Sequence, residues 1–336
     1  MPVLFVSHPD YLDHAIAGHP ERPERLAAID EGLARTGLDD EIIIVAARAA
    51  TEADLERVHS PDYVGALHRF CLTGGGWIDG DTAVVPASWE AAMHAAGAGL
   101  TAIERLDAGE AEAAFCAVRP PGHHALPTRA MGFCLFNNVA VAAAALAERG
   151  ERVLIVDYDA HHGNGTQDCF YGDDRVTYVS LHQHPLYPGT GSVLETGEGE
   201  ALGTTVNLPM PPGATGDVYR EAVDEVVVPL ADELHPTWLL LSAGFDAHRR
   251  DPLTDLGLTS GDFGDLTASL AALVPAGRRL VFLEGGYDLE ALRDSSAAAL
   301  AALAGDPLHP EAPTSGGPGR EVVFAAGLAH TRARRR

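Results

Sequence analysis

The sequence predicts a doubly wound α/β fold, on three observations. Short, branched apolar runs recur along its 336 residues, Ala-rich helical stretches separate most of them, and the residues directly after the runs are rich in His, Asp, Gly and Tyr. Near-continuously apolar strands suit a parallel sheet buried on both faces. Ligands of such a sheet gather beyond the carboxyl ends of its strands, so those residues are where chemistry is expected.

In chain order the predicted strands are Ala114–Val118, Arg152–Val156, Val176–Leu181, Trp238–Leu241 and Arg279–Leu283. The helical stretches are Trp89–Leu106, Asn138–Glu148, Val218–Leu234 and Asp262–Val274. After the strands come RPPGHHA (119–125), DYDAHHGNGT (157–166), HQHPLYPGTG (182–191), SAGFDAH (242–248) and EGGYD (284–288). Strand ends that all deliver His, Asp or Tyr to one rim predict a single site. No internal repeat or long linker divides the chain, so residues 1–304 read as one catalytic domain. Residues 305–336, Pro/Gly-rich and then basic (TRARRR), read as a segment and solvated tail that is partly ordered at most.

Composition narrows the function. With 23 basic and 48 acidic side chains the formal charge is 23 − 48 = −25, which disfavours a nucleic-acid binder, because that affinity rests on Lys and Arg displacing counterions. No apolar run approaches the roughly 18 to 20 residues of a membrane span, and a soluble, cytoplasmic protein is expected. Apolar residues make up 46% of the chain, enough for a sizeable core. Cys71, Cys116, Cys134 and Cys169 lie far apart without a CxxC pair and read as reduced thiols. There is no lysine, and a biased composition accounts for the Ala and Arg excess at least as well as adaptation to salt.

Asp159 and His161 stand two apart, so on an extended segment both side chains project to the same side. A catalytic zinc takes three protein ligands and leaves one position open. Asp246, at another strand end, is the natural third; a lone aspartate there would otherwise read as a helix cap. His123 and His124 follow a stiff Pro-Pro-Gly turn, and a tandem pair beside a metal can supply a general base and acid near neutral pH. Asp157 and Asn164 are candidates to orient one imidazole each. Tyr287 follows Gly285 and Gly286, which would let backbone and phenol approach a ligand closely, and reads as a donor to a developing oxyanion rather than a core tyrosine.

RPPGHH, GFCLFNN, DYDAHHGNGT, SLHQ, PGTG, SAGFDAHRRDPL and EGGYD together resemble the metal-dependent histone deacetylase family, from HPERPERL (19–26) to about Asp288. The resemblance implies the arginase/deacetylase α/β fold, with a central, mostly parallel eight-stranded sheet and helices on both faces. It implies catalytic zinc on Asp159, His161 and Asp246, and Tyr287 polarising an acyl carbonyl. His124 would be the principal base and acid and His123 mainly an electrostatic partner, with Asp157 turned to His123 and Asn164 to His124. Asn164 departs from the class I aspartate and is similar to class II and bacterial deacetylase-like amidohydrolases. Phe133 and Tyr187 fall at the aromatic walls of an acyl-lysine tunnel, although phenylalanine is commoner than Tyr187 there. Gly132, Gly285 and Gly286 would approach the substrate, and Leu253 would line the mouth. A structural potassium is implied on Asp157, Ser180, Leu181 and the main chain of Asp159 and His161.

The implied activity is zinc-dependent removal of acetyl or related acyl groups from lysine side chains of a peptide or protein. An acetylpolyamine amidohydrolase is the alternative, which an apolar Leu253 disfavours. A two-manganese ureohydrolase would carry an aspartate where Gly244 stands, and a non-catalytic acyl-lysine scaffold would lack the Tyr287 phenol. Either Asp79 or Asp81 could anchor substrate backbone; acyl length, amine partner and a homo-oligomeric state stay open.

Overall fold

The computed structural model describes residues 1–38 and 40–335. Its elements are β1 (Val3–Ser7), α1 (Glu24–Thr36), β2 (Ile42–Ala46), α2 (Glu52–Leu55), α3 (Pro61–Leu72), the paired β3 (Gly76–Trp77) and β4 (Ala83–Val84), and α4 (Ser88–Asp107). Then follow β5 (Ala113–Cys116), α5 (Asn138–Glu148), β6 (Val153–Asp157), α6 (Asn164–Phe170), β7 (Val176–Gln183), β8 (Thr205–Met210), α7 (Gly216–Ala222) and α8 (Val228–Leu234). The chain closes with β9 (Trp238–Ala243), α9 (Ser260–Ala271), β10 (Arg279–Leu283), α10 (Leu289–Ala304) and α11 (Arg320–Arg334).

One eight-stranded sheet has the order β2-β1-β5-β10-β9-β6-β7-β8. Its pairings are all parallel, more uniform than the mostly parallel sheet expected. The apolar runs explain the burial: β6 (VLIVD) and β9 (WLLLSA) bury every residue, as strands covered on both faces must. Helices α4 and α5 pack on the sheet through β1, β5 and β10 and through β6, β7 and β9; α10 covers β1 and β5 from the opposite side, between α1 and α9.

Three sheet strands lay outside the sequence reading. Asn207 and Pro209 dilute the apolar pattern of β8, and proline is tolerated there because an edge strand leaves one side unpaired. β1 and β2 extend the sheet at its other edge. The predicted helix Val218–Leu234 is α7 and α8 joined by a π-helical turn, Val223–Val227, in which Val228 N–H bonds to Val223 O. Pro229 lacks an N–H and would crowd the preceding turn of a regular helix, which the wider turn relieves.

Residues 305–335, expected to be partly ordered at most, include the helix α11. The Asp262 carboxylate accepts from the backbone and hydroxyl of Thr314, and Glu311 accepts from His248 (2.7 Å) and Arg249 (2.7 Å). These bonds strap the segment down and deliver α11 onto β8, where Arg334 pairs with Glu233 at 2.8 Å. The apolar side chains of VVFAAGLA, overlooked beside the basic end, give that helix a face to bury.

Candidate active site

Four neighbouring strands, β5, β10, β9 and β6, end at the same rim. With about 4.8 Å between strands, the residues that leave them converge although up to 164 positions (287 − 123) separate them in sequence.

Behind β6 and β9, Asp159, His161 and Asp246 each offer a ligand atom, all within 4.8 Å of one another. His161 Nδ1 lies 3.2 Å from Asp159 Oδ1 and 2.9 Å from Asp246 Oδ2. The other carboxylate oxygens are held by backbone: Gly285 N–H donates to Asp159 Oδ2 at 2.7 Å and Ala160 N–H to Asp246 Oδ1 at 2.8 Å. A Cβ at Gly285 would overlap both carboxylates, so only glycine lets the β10 turn come this close. Burial opposes charge on His161, but the two carboxylates outweigh it and push its pKa up to about 10. Two carboxylates and one imidazole, aimed inward and braced from behind, are the donor set of a three-ligand zinc site, and the residues present fit that ion.

Beyond β5 the two histidines are tuned apart. His123 Nδ1 bonds to Asp157 Oδ2 at 3.0 Å, and the same carboxylate accepts from Tyr178 OH (2.9 Å) and, through Oδ1, from Asp159 N–H (3.1 Å). Burial alone would lower the His123 pKa; Asp157, Asp159 and Glu284 together raise it well above the usual imidazole range. His124 Nδ1 bonds to Asn164 Oδ1 at 2.8 Å. Burial, reinforced by His123 and His161, takes the His124 pKa well below that range. With its Nδ1–H donated to the amide, neutral His124 carries a bare Nε2.

A cavity of about 230 Å³ joins these groups, with His123, His124, Asp159, His161 and Tyr287 in its lining. Phe133, Tyr187, Leu186 and Leu253 supply its apolar walls, with Gly132, Gly285 and Asp81 between them. The Phe133 ring meets Tyr287 edge-on at 5.8 Å, and Tyr187 meets His124 edge-on at 5.2 Å. Tyr287 OH bonds to no other group among the described residues. Phe133 sits at φ 70, beside Gly132 at φ 55, where a Cβ would strike the His124 ring. Tyr187 and Leu253 are 37% and 39% exposed, as residues at an opening are.

Gly286 is placed differently from the reading that set it at the substrate: it lies outside the cavity lining, and its carbonyl accepts from Arg25 Nε at 2.8 Å. Asp79 and Asp81 separate as well. Asp79 Oδ1 accepts from the backbone of Asp81 and Thr82, which closes a turn, while Asp81 reaches the cavity. Ser180 pairs in register with Asp157 across β6 and β7, and both they and Leu181 are buried. Ser180 Oγ bonds to His182 Nδ1 at 2.9 Å.

Several supporting residues escaped the sequence reading. Glu284 accepts from the backbone of Gly122 (2.7 Å) and His123 (3.1 Å), and so ties the β10 turn to the histidine turn. Fully buried Glu21 pairs with Arg119 and, at 3.2 Å, with Arg25, whose guanidinium lies 5.1 Å from the Tyr287 ring centre. Asp251 accepts from Tyr287 N–H (2.7 Å) and Leu253 N–H (3.0 Å), holding two cavity walls together. A charged residue inside an otherwise apolar or glycine-rich motif was the available signal for Arg119 and Glu284.

Comparison with known proteins agrees with this geometry. The family described as histone deacetylase domain matches residues 19–303. A probable deacetylase of Archaeoglobus fulgidus is 41% identical over 308 residues, 89% of this chain and 86% of that protein. A histone deacetylase-like amidohydrolase of Pseudomonas aeruginosa is 40% identical over 279 residues, 81% and 73% of the respective chains. The crystal structure of the HDA15 HD domain matches with a TM-score of 0.91 at 36% identity, covering 98% of this chain and 94% of that one. A braced ligand triad, two divergently tuned histidines and a free phenol at the ends of adjacent parallel strands thus accompany a match across most of the chain, which belongs to the histone deacetylase family.

Proposed function

We propose that the protein hydrolyses the amide of acetyl-lysine, or of a related acyl-lysine, with one zinc ion held by Asp159, His161 and Asp246. The observation that carries this reading is that Asp159, His161, the histidine pair and the Tyr287 phenol line one cavity of about 230 Å³, with the Asp246 ligand atom within 4.8 Å of those of Asp159 and His161. Zinc in such a site supplies Lewis-acid polarisation of the carbonyl and acidifies water.

The chain's own residues account for the proton movements. His124, neutral with Nε2 bare, takes a proton from the attacking water. The Tyr287 O–H donates to the oxygen that gains negative charge as the carbon becomes tetrahedral. His123, kept cationic by Asp157, adds positive potential beside that charge. His124 then returns its proton to the nitrogen as the C–N bond breaks, releasing amine and carboxylic acid, which exchange the remaining proton to leave as ammonium and carboxylate. Phe133 and Tyr187 flank the acyl chain, Leu253 covers the mouth, and Asp81 is the better-placed acceptor for substrate N–H. Asp157 and Ser180, with carbonyls of Leu181, Asp159 and His161, would hold potassium through oxygen donors, the chemistry a hard cation prefers. A reducing cytoplasm suits the free thiols of the chain.

Acetylated polyamines are a second reading, favoured by Asp81 at the cavity and by a formal charge of −25 that draws cations. A ureohydrolase fits poorly, because even a Cβ at Gly244 would run into the Asp159 carboxylate. The deciding experiment compares turnover of an acetyl-lysine peptide, free acetyl-lysine and acetylated polyamines by the zinc-loaded enzyme. The highest kcat/KM should fall on the peptide; a large preference for polyamines would transfer the assignment to the second reading.

A further inference from the structure

Outside the cavity lining, at the start of the segment that leads to His19 and Glu21, a second group of metal-binding side chains meets. His8 and Asp10 lie at and just after the exit of β1, where Pro9–Leu12 forms a short 3-10 helix capped by His8; His94 stands on α4. His8, Asp10 and His94 each offer a ligand atom, all within 4.8 Å of one another, and all three are partly open to solvent. His8 Nδ1 lies 3.5 Å from Asp10 Oδ1, and His94 Nδ1 lies 3.2 Å from Asp10 Oδ2. The two imidazoles stack 3.6 Å apart at 7°.

We propose that His8, Asp10 and His94 form a second, peripheral site for a divalent transition-metal ion, which clamps the segment after β1 to α4. Two nitrogens and one carboxylate oxygen select zinc, cobalt, nickel or copper over magnesium and calcium, which prefer oxygen alone. Simple ion pairing is a poor use of this arrangement. Two imidazolium rings cannot stack so closely without strong repulsion, so the stacked pair suits at least one neutral, ligand-competent ring. The ion would replace the His94 Nδ1 proton, which now faces Asp10 and Glu90 O (3.0 Å). Parallel rings cannot both aim in-plane lone pairs at one ion, so one must rotate about χ2, a soft torsion for histidine. The carriers are otherwise rigid: the end of a central-sheet strand and the middle of a 20-residue helix. A clamp here would restrain the base of the segment whose His19 ring packs against Phe133 at 4.5 Å.

Cobalt(II) is the probe. Metal-stripped protein is titrated with Co²⁺, read by visible d–d absorption and by elemental analysis after desalting. Wild type should bind two equivalents, His94→Ala one, His161→Ala one, and the double variant none. Asp10→Asn, isosteric with the native side chain, should also lose one equivalent and makes no cavity. Per catalytic ion, His94→Ala should keep full activity. His161→Ala that binds no cobalt, or His94→Ala and Asp10→Asn that still bind two equivalents, would overturn the assignment. Because each site is deleted separately, failure of the peripheral site is distinguishable from failure of the catalytic one.

Discussion

Replacing Tyr287 by phenylalanine removes one oxygen from the cavity and little else. The phenol bonds to no protein group among the described residues, so no buried partner is orphaned by its loss, and the ring keeps its edge contact with Phe133 at 5.8 Å and the Arg25 guanidinium at 5.1 Å. Backbone anchoring by Asp251 at 2.7 Å is untouched as well. The fold and ground-state binding should therefore survive, and the whole effect should fall on the transition state, where the carbonyl oxygen gains charge. Removing one such donor costs about 2.7 to 4 kcal/mol, or about 10² to 10³ in kcat. Steady-state kinetics on an acetyl-lysine peptide at saturating zinc should show that loss with KM nearly unchanged. A variant with near-normal kcat would refute the role given to the phenol. A large rise in KM alone would mean that it binds substrate rather than stabilising charge.

Other outcomes follow from the same geometry. Asp246→Ala should lose one equivalent of metal and all turnover together, measured by elemental analysis beside activity, because a three-ligand site with an open position has no ligand to spare. Asn164→Asp places an anion 2.8 Å from His124 Nδ1; it favours the protonated ring, the base must be neutral to act, and the acidic limb of the kcat/KM profile should move to higher pH. A limb that stays put would show that Asn164 does not partner the base. Leu253→Glu should raise kcat/KM for acetylated polyamines relative to the peptide, and the gain should shrink with salt. Glu21→Ala leaves two buried guanidiniums without their carboxylate and should cost about 3 to 5 kcal/mol in denaturant unfolding. Burial opposes the Glu21 charge, yet Arg119 and Arg25 hold its pKa at about 2 against 4.5 when free. That stabilisation is present above pH 4.5 and should fade as pH drops toward 2, and the variant should lack this part of the acid sensitivity.

Much of this molecule was legible in its sequence. Strands such as VLIVD and WLLLSA declare themselves because a strand buried on both faces must be apolar throughout, and the groups that follow them declare the rim. Local spacing also put Asp159 and His161 on one side of a single segment. The edge strand β8 stayed hidden behind Asn207 and Pro209, and α11 behind its arginines, because a partner surface, rather than local pattern, makes those segments worth ordering. Only the tertiary structure decided that β5 and β10, remote in sequence, lie side by side, and so that His123 and Tyr287 share a cavity with Asp159 and His161 from β6, to which Asp246 from β9 is brought within ligand reach. It also decided which aspartate reaches the cavity and where Glu284, Glu21, Arg119 and Asp251 brace the turns. The opposite tuning of His123 and His124 belongs to the same level: adjacent imidazoles are chemically identical in the sequence, and the fold decides which holds its proton by setting Asp157, Asp159 and Glu284 about His123 while burying His124 beside His123 and His161 with only a neutral amide as partner.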